Sequence, residues 1–140
     1  MKQEVVLHIR GQQSYDGQEP EVIELMTEGT MEFLDGGWDI SYEETELTGM
    51  AGVTTTFRVE PGKVILRRTG KLRSEMLFQQ GVRHESLYQL EFGALLMTVT
   101  AKQVFLDIMP DGGVIDLMYD IEIENSAAGQ VDYHLDIRAK

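Results

Sequence analysis

The stretch Val114-Ile115-Asp116-Leu117-Met118-Tyr119-Asp120-Ile121-Glu122-Ile123 decides the fold. Ile115, Leu117, Tyr119, Ile121 and Ile123 share one parity, while Asp116, Asp120 and Glu122 hold the other. Successive side chains of a strand point to opposite faces, so this period of two predicts a β-strand with one face in a core and one in water. Pro110-Asp111-Gly112-Gly113 before it is hairpin chemistry. Ala128-Gly129 after it predicts a turn into a last strand with Val131, Tyr133, Leu135 and Ile137 inside.

The same pattern repeats about ten times along the 140 residues. Val5, Leu7 and Ile9 form the first inner row. Asp16-Gly17 and Pro20 punctuate. Ile23, Leu25, Met31 and Phe33 follow, with Gly29 predicting a bend or bulge among them. Asp35-Gly36-Gly37 predicts a hairpin, and Pro61-Gly62 a type II turn. Val64, Leu66 and Arg68 form one inner row, although an apolar Val64-Ile65-Leu66 run also admits Ile65 and Arg67 inside. Leu95, Met97, Val99 and Ala101 are odd-numbered, whereas Val104, Leu106 and Ile108 are even. A slip of one residue would turn the core face outward, so a β-bulge is expected near Lys102-Gln103.

No segment carries a helical period of useful length. The length fits one domain, residues 1–140. The fold class is therefore all-β, with about eight to ten antiparallel strands whose apolar faces must meet. An up-and-down barrel achieves this and removes the sheet edges; a two-sheet sandwich is the alternative. Of eleven aromatics (one Trp, five Tyr, five Phe), nine fall on the inner parity: Phe33, Trp38, Tyr42, Phe57, Phe78, Tyr88, Phe92, Tyr119 and Tyr133. They predict a largely filled interior with a narrow cavity. Only Tyr15 and Phe105 fall outside.

Composition excludes several functions. The chain has no cysteine, hence no disulfide, thiolate metal site or cysteine nucleophile. The net charge of −12 opposes both a phosphate backbone and an anionic membrane, so neither nucleic acid nor membrane is expected as a partner. Neither a signal-peptide run nor a membrane-spanning apolar segment is present, which reads as a soluble, cytoplasmic protein. The three histidines, His8, His84 and His134, lack metal-ligand spacing, so neither metal nor cofactor is expected. With no nucleophile elbow and no phosphate-binding loop, the chain reads as a non-enzyme.

The informative residues are polar ones on inner parities: Tyr42, Glu44, Thr55, Arg68, Ser74, His84, Ser86 and Tyr88. Following the hairpins, Glu44, Arg68 and Phe92 return to one rim, His84 lies at the opposite rim and Tyr88 near mid-barrel. Arg68, Glu44, Tyr42, Thr55, Tyr88 and Phe92 are the candidate ligand-binding set, with Glu44 the expected ion-pair partner of Arg68. No residue is a catalytic or metal candidate.

Several motifs resemble the YwiB-like family of small bacterial proteins with a calycin-like barrel. They are Tyr42-Glu43-Glu44, Thr54-Thr55-Thr56, Arg68-Thr69-Gly70, Met76-Leu77-Phe78 with Gly81, and Tyr88 followed by Phe92-Gly93. The resemblance runs the full length and implies a lipocalin-like barrel, but no catalytic residue. Two functions stay open. One is binding a small molecule with an apolar body or an acidic head at the barrel rim. The other is assembly, including a homodimer, through outward Val6, Met26, Leu77, Leu87 and Met118. A chelator is expected to leave the melting temperature unchanged, and single-stranded DNA to retain no protein; a chelator-sensitive Tm or salt-dependent retention would contradict this reading.

Overall fold

The computed structural model describes residues 2–14 and 18–140, so the Asp16-Gly17 turn and the placement of Tyr15 lie outside the described residues. Ten strands follow in order: β1 (Gln3–Ser14), β2 (Glu21–Leu34), β3 (Gly37–Glu43), β4 (Val53–Glu60), β5 (Lys63–Gly70), β6 (Ser74–Gln79), β7 (Arg83–Leu90), β8 (Gly93–Met109), β9 (Gly112–Ile123) and β10 (Ser126–Ala139). A 3₁₀ turn, Glu46–Thr48, sits between β3 and β4.

Each strand pairs antiparallel with its sequence neighbour, except at one place. The spatial order is β6-β5-β4-β3-β2-β1-β10-β9-β8-β7, so the first and last strands lie side by side at the centre of the ladder. The discontinuity falls between β6 and β7. There the sheet curls round on itself, and a single bridge, Arg73 with Gln89, joins the two edges through backbone bonds of 2.9 and 2.8 Å. The His84 ring occupies part of the seam, its Nδ1 accepting the Leu77 N–H at 3.2 Å. The result is an all-β, nearly closed, antiparallel barrel, as the repeated alternation predicts.

The inner rows are those the alternation marks. Leu7, Ile40, Phe57, Val64, Phe78, Ile115 and Leu135 are fully buried. Val64 and Leu66 are buried while Arg67 is exposed and faces Glu75 at 3.6 Å, so the row through Arg68 is the inner one. The bulge also lies where the parity slip requires, between Ala101 and Gln103 opposite Tyr119 and Met118. The hairpin at Asp35-Gly36 has φ of 50° and 78° at its two central residues, the geometry that matches strand twist.

Three expectations need correction. First, Phe33 and Phe92 are not interior; they are 56% and 88% exposed. Phe92 lies in the turn between β7 and β8, where the alternation no longer applies. Phe33 lies one residue from the end of β2 and meets Trp38 edge-on at 5.0 Å. Second, the turn between β9 and β10 is Glu124-Asn125, with φ of 51° and 66°; the irregularity at Ala127/Gly129 is a shift within the ladder. Third, β2 runs through Gly29 with an unbroken register. Its glycine is required by close approach: a Cβ there would lie 2.4 Å from the Ser41 carbonyl oxygen.

Packing is uneven along the barrel axis. Buried apolar side chains crowd the end that carries the β2–β3, β4–β5, β6–β7 and β8–β9 hairpins. Toward the other end the inward residues become tyrosine, threonine, serine, arginine and glutamate. Gly29→Ala is expected to lower the urea midpoint by the equivalent of about 1–3 kcal/mol without changing the slope, because the extra methyl meets backbone rather than a yielding side chain; an unchanged midpoint would show that β2 and β3 can separate freely.

Candidate functional site

Strand register assembles a polar row on the inner wall. Tyr42 on β3 opposes Thr55 on β4, Thr55 opposes Arg68 on β5, and Arg68 opposes Ser74 on β6. Directly opposed residues stand roughly 5 Å apart, so these four side chains form one continuous band. Glu44 lies just beyond β3, its N–H donating to the Val53 carbonyl at 2.8 Å.

Glu44 is buried, and two threonines hold it. Thr55 Oγ1 donates to its Oε2 at 2.5 Å, and Thr48 Oγ1 shares its one proton between Glu44 Oε1 and the Thr45 carbonyl, each at 3.0 Å. Thr48 reaches it because Thr45 caps the 3₁₀ turn, accepting the Leu47 N–H at 3.2 Å, and Gly49 closes the turn with φ of 74°. The Thr45-x-x-Thr48-Gly49 spacing was the available sequence signal for this second clamp.

The expected Glu44–Arg68 pair does not form. Glu44 is engaged by hydroxyls, and Arg68 makes no ion pair among the described residues. Its Nε is buried without a hydrogen-bond partner, and so is Oγ of Ser74 beside it. Such groups are uncommon in folded proteins because each forfeits its bonds to water, at a cost of about 1–3 kcal/mol.

Arg68 faces a cluster of phenols. Burial pushes the Tyr42 hydroxyl above its usual range, and the Glu44 charge adds to this while Arg68 opposes it. Tyr119 is pushed up to about 12 by burial, again against the pull of Arg68. Tyr133 is raised further, by burial first and then by Tyr42. One guanidinium thus acts on three phenols from three different strands.

These groups line a chamber of about 290 Å³ at the polar end of the barrel. Tyr42, Glu44, Arg68, Tyr88, Tyr119 and Tyr133 form its polar wall. Met76, Met97, Ile121 and Val131 give it an apolar one. Four of the six candidate residues, Tyr42, Glu44, Arg68 and Tyr88, therefore line it, and Thr55 is buried and hydrogen-bonded to Glu44. Phe92 does not join them. Sequence reasoning treated Tyr119 and Tyr133 only as filling and left Ser74 out of the candidate set. Arg68 also borders a second groove, about 410 Å³, that runs across the β6/β7 seam past Ser74 and Ser86.

The outer face offers less. A groove of about 410 Å³ holds His134 against Asp116 at 2.5 Å, with Arg10 and Phe105 nearby. Both members of that pair are well exposed and mutually satisfied. The outward apolar residues do not gather in one place: Val6 and Met26 border one shallow hollow, Met118 another, and Leu77 and Leu87 lie on the seam strands.

The phenols set a pH dependence. A tyrosine whose folded pKa exceeds its unfolded value near 10 contributes stability fully present below pH 10. That contribution is lost as pH rises through about 12, the value for Tyr119. The urea midpoint should be flat up to about pH 10 and fall above it, with Tyr133→Phe making the fall shallower. Ionisation of all the tyrosines near pH 10, with no accompanying loss of stability, would contradict the buried cluster.

Comparison with known proteins agrees with this architecture. Residues 7–137 match the family model described as Domain of unknown function (DUF1934). The chain is 30% identical to the uncharacterized β-barrel protein YwiB of Bacillus subtilis (strain 168) over 125 residues, covering 88% of this chain and 86% of that protein. The crystal structure of YwiB from Bacillus subtilis superposes with a TM-score of 0.89 at 23% identity, over 99% of this chain and 93% of that one, which shows a shared fold. Among the described residues no helix is long and apolar enough to cross a membrane. With nearly its whole length inside the family match, the chain belongs to the DUF1934 family, and YwiB is its relative in sequence and in fold.

Proposed function

We propose that the chain is a non-enzymatic, cytoplasmic binding module that holds a small molecule in the barrel mouth, its acidic head on Arg68 and its apolar body against Met76, Met97 and Ile121. The observation that carries this reading is the unpartnered, buried Nε of Arg68 beside the unpartnered Oγ of Ser74. An arginine offers five N–H donors in a fixed fork suited to carboxylate or phosphate oxygens. An anion accepting from that fork supplies the missing partner. The chamber's volume accommodates on the order of ten non-hydrogen atoms of a guest, taking the ~30 Å³ that one water occupies in the liquid.

The chemistry present favours binding over catalysis. Glu44 is the buried carboxylate of the chamber, whose edge also carries the exposed Glu21, and hydroxyl donors bind the Glu44 oxygens. A base so engaged is poorly placed to take a proton. A ligand in the mouth of a closed antiparallel barrel also fits the calycin-like character that the sequence resemblance implies. The absence of cysteine and the acidic surface suit the cytoplasm.

The test is thermal melting with hexanoate as the probe. At ten times its Kd, hexanoate should stabilise by about 1.4 kcal/mol and raise Tm by roughly 4 °C. Arg68→Ala should abolish that shift while leaving the ligand-free Tm unchanged or higher, because it removes a cation that has no partner. A loss of about 3–5 kcal/mol in the ligand-free variant would instead mark Arg68 as half of a structural ion pair.

A further inference from the structure

Resting on the reading of Arg68 as an anion anchor, we infer that the bound molecule is amphoteric: an apolar amino acid, or a molecule of that class, with its anionic group on Arg68 and its ammonium on Glu44. Arg68 and the buried Glu44 line one chamber of about 290 Å³ without pairing with each other, while a second carboxylate, Glu21, stands exposed at its edge. Glu44 is only 6% exposed. Buried charges are normally paired, because each loses its hydration on leaving water. Arg68 and Glu44 nevertheless form no ion pair; the Glu44 oxygens are engaged by Thr48 of the β3–β4 loop and Thr55 of β4.

That separation has a chemical consequence. A simple anion docked on Arg68 would share the chamber with the Glu44 charge and be repelled by it. A simple cation on Glu44 would meet the arginine in the same way. A zwitterion of opposite polarity neutralises both charges at once. A carboxylate offers about four lone-pair directions, and Thr48, Thr55 and Tyr42 take up to three of them, which leaves one for a guest. Thr55 ties the two poles together, being the cross-strand partner of Arg68 and a donor to Glu44. The phenols of Tyr42, Tyr119 and Tyr133, neutral at about pH 7 as any tyrosine is, add hydroxyl contacts. Met76, Met97, Ile121 and Val131 leave an apolar wall for an aliphatic side chain.

Three probes with one carbon skeleton separate the possibilities: norleucine, hexanoate and hexylamine, titrated calorimetrically into the wild-type chain. Norleucine is expected to bind at least about tenfold more tightly than either monopolar probe, a difference of about 1.4 kcal/mol. Glu44→Gln should cancel most of that advantage over hexanoate, and Arg68→Ala most of that over hexylamine. Hexanoate binding as tightly as norleucine would overturn the amphoteric inference and leave Arg68 as a plain anion anchor. Hexylamine binding best, or norleucine binding unaffected by Arg68→Ala, would overturn the anchor itself. Failure of all three probes to bind the folded wild-type protein would overturn both readings. The wild-type series needs no substitution, so it decides the matter even if Glu44→Gln folds poorly.

Discussion

The ladder between β1 and β10 is the constraint on which the rest of this structure depends. It joins Val5 through Ser14 to Ala139 through Gln130, converting a ten-strand meander into a barrel whose one weak seam lies mid-chain. Ten strands enclose more space than eight, and an eight-strand interior is already just filled by side chains. The chain fills one end with Phe57, Phe78, Leu7 and their neighbours. At the other end the inward positions carry polar groups, which cannot simply be packed together; each needs a partner. The chamber is therefore a consequence of strand number combined with the residue types chosen for the second half of each inner row.

Those partners are only partly supplied by the protein. Thr48 of the β3–β4 loop and Thr55 of β4 satisfy Glu44 with hydroxyls, which fixes the carboxylate but leaves its charge uncompensated by any cation among the described residues. Arg68 receives no counterpart at all among the described residues, and its neighbour Ser74 is equally unsatisfied. The outer face of the same barrel behaves differently. Arg58 contacts Asp39, Glu60 and the Asp35 carbonyl at 3.0–3.3 Å, and Arg83 spans Glu85 and Glu122. The chain thus pairs these outer arginines generously while leaving unpaired the one that reaches inside. An unpaired interior cation contributes little to folding, which is why its presence speaks for a guest.

Much of this was legible in the sequence. Period-two alternation identified the inner rows, and the parity slip after Ala101 located the bulge, because a one-residue shift has an unmistakable effect on which face is apolar. Alternation also placed Arg68 rather than Arg67 inside. It failed where strands stop: Phe33 and Phe92 keep the inner parity but sit at or beyond the last rung, so parity no longer describes direction. The turn at Glu124-Asn125 was hidden because neither residue is glycine, although asparagine tolerates positive φ. Gly29 was read as a bend when it records a backbone approaching from the next strand. The Glu44–Arg68 pair failed for a different reason. Charge sign and rim position made the two neighbours, but pairing is a competition, and the winning donors, Thr48 and Thr55, come from a loop and a facing strand. The Ser74 orphan and the joint action of Arg68 on three phenols depend on register across four or more strands, which no local pattern reports.

The central claim is that Arg68 and Glu44 occupy one chamber as separate, unpaired charges awaiting an outside partner. A crystal structure of the full chain, at a resolution that shows ordered solvent, tests this most directly. In such a structure Nε of Arg68 and Oγ of Ser74 are each expected to meet a non-protein atom, from water, an anion or a retained ligand, with the Glu44 carboxylate still held by Thr48 and Thr55. The Glu44 carboxylate swung out of that clamp and in direct ion-pair contact with the Arg68 guanidinium would contradict it.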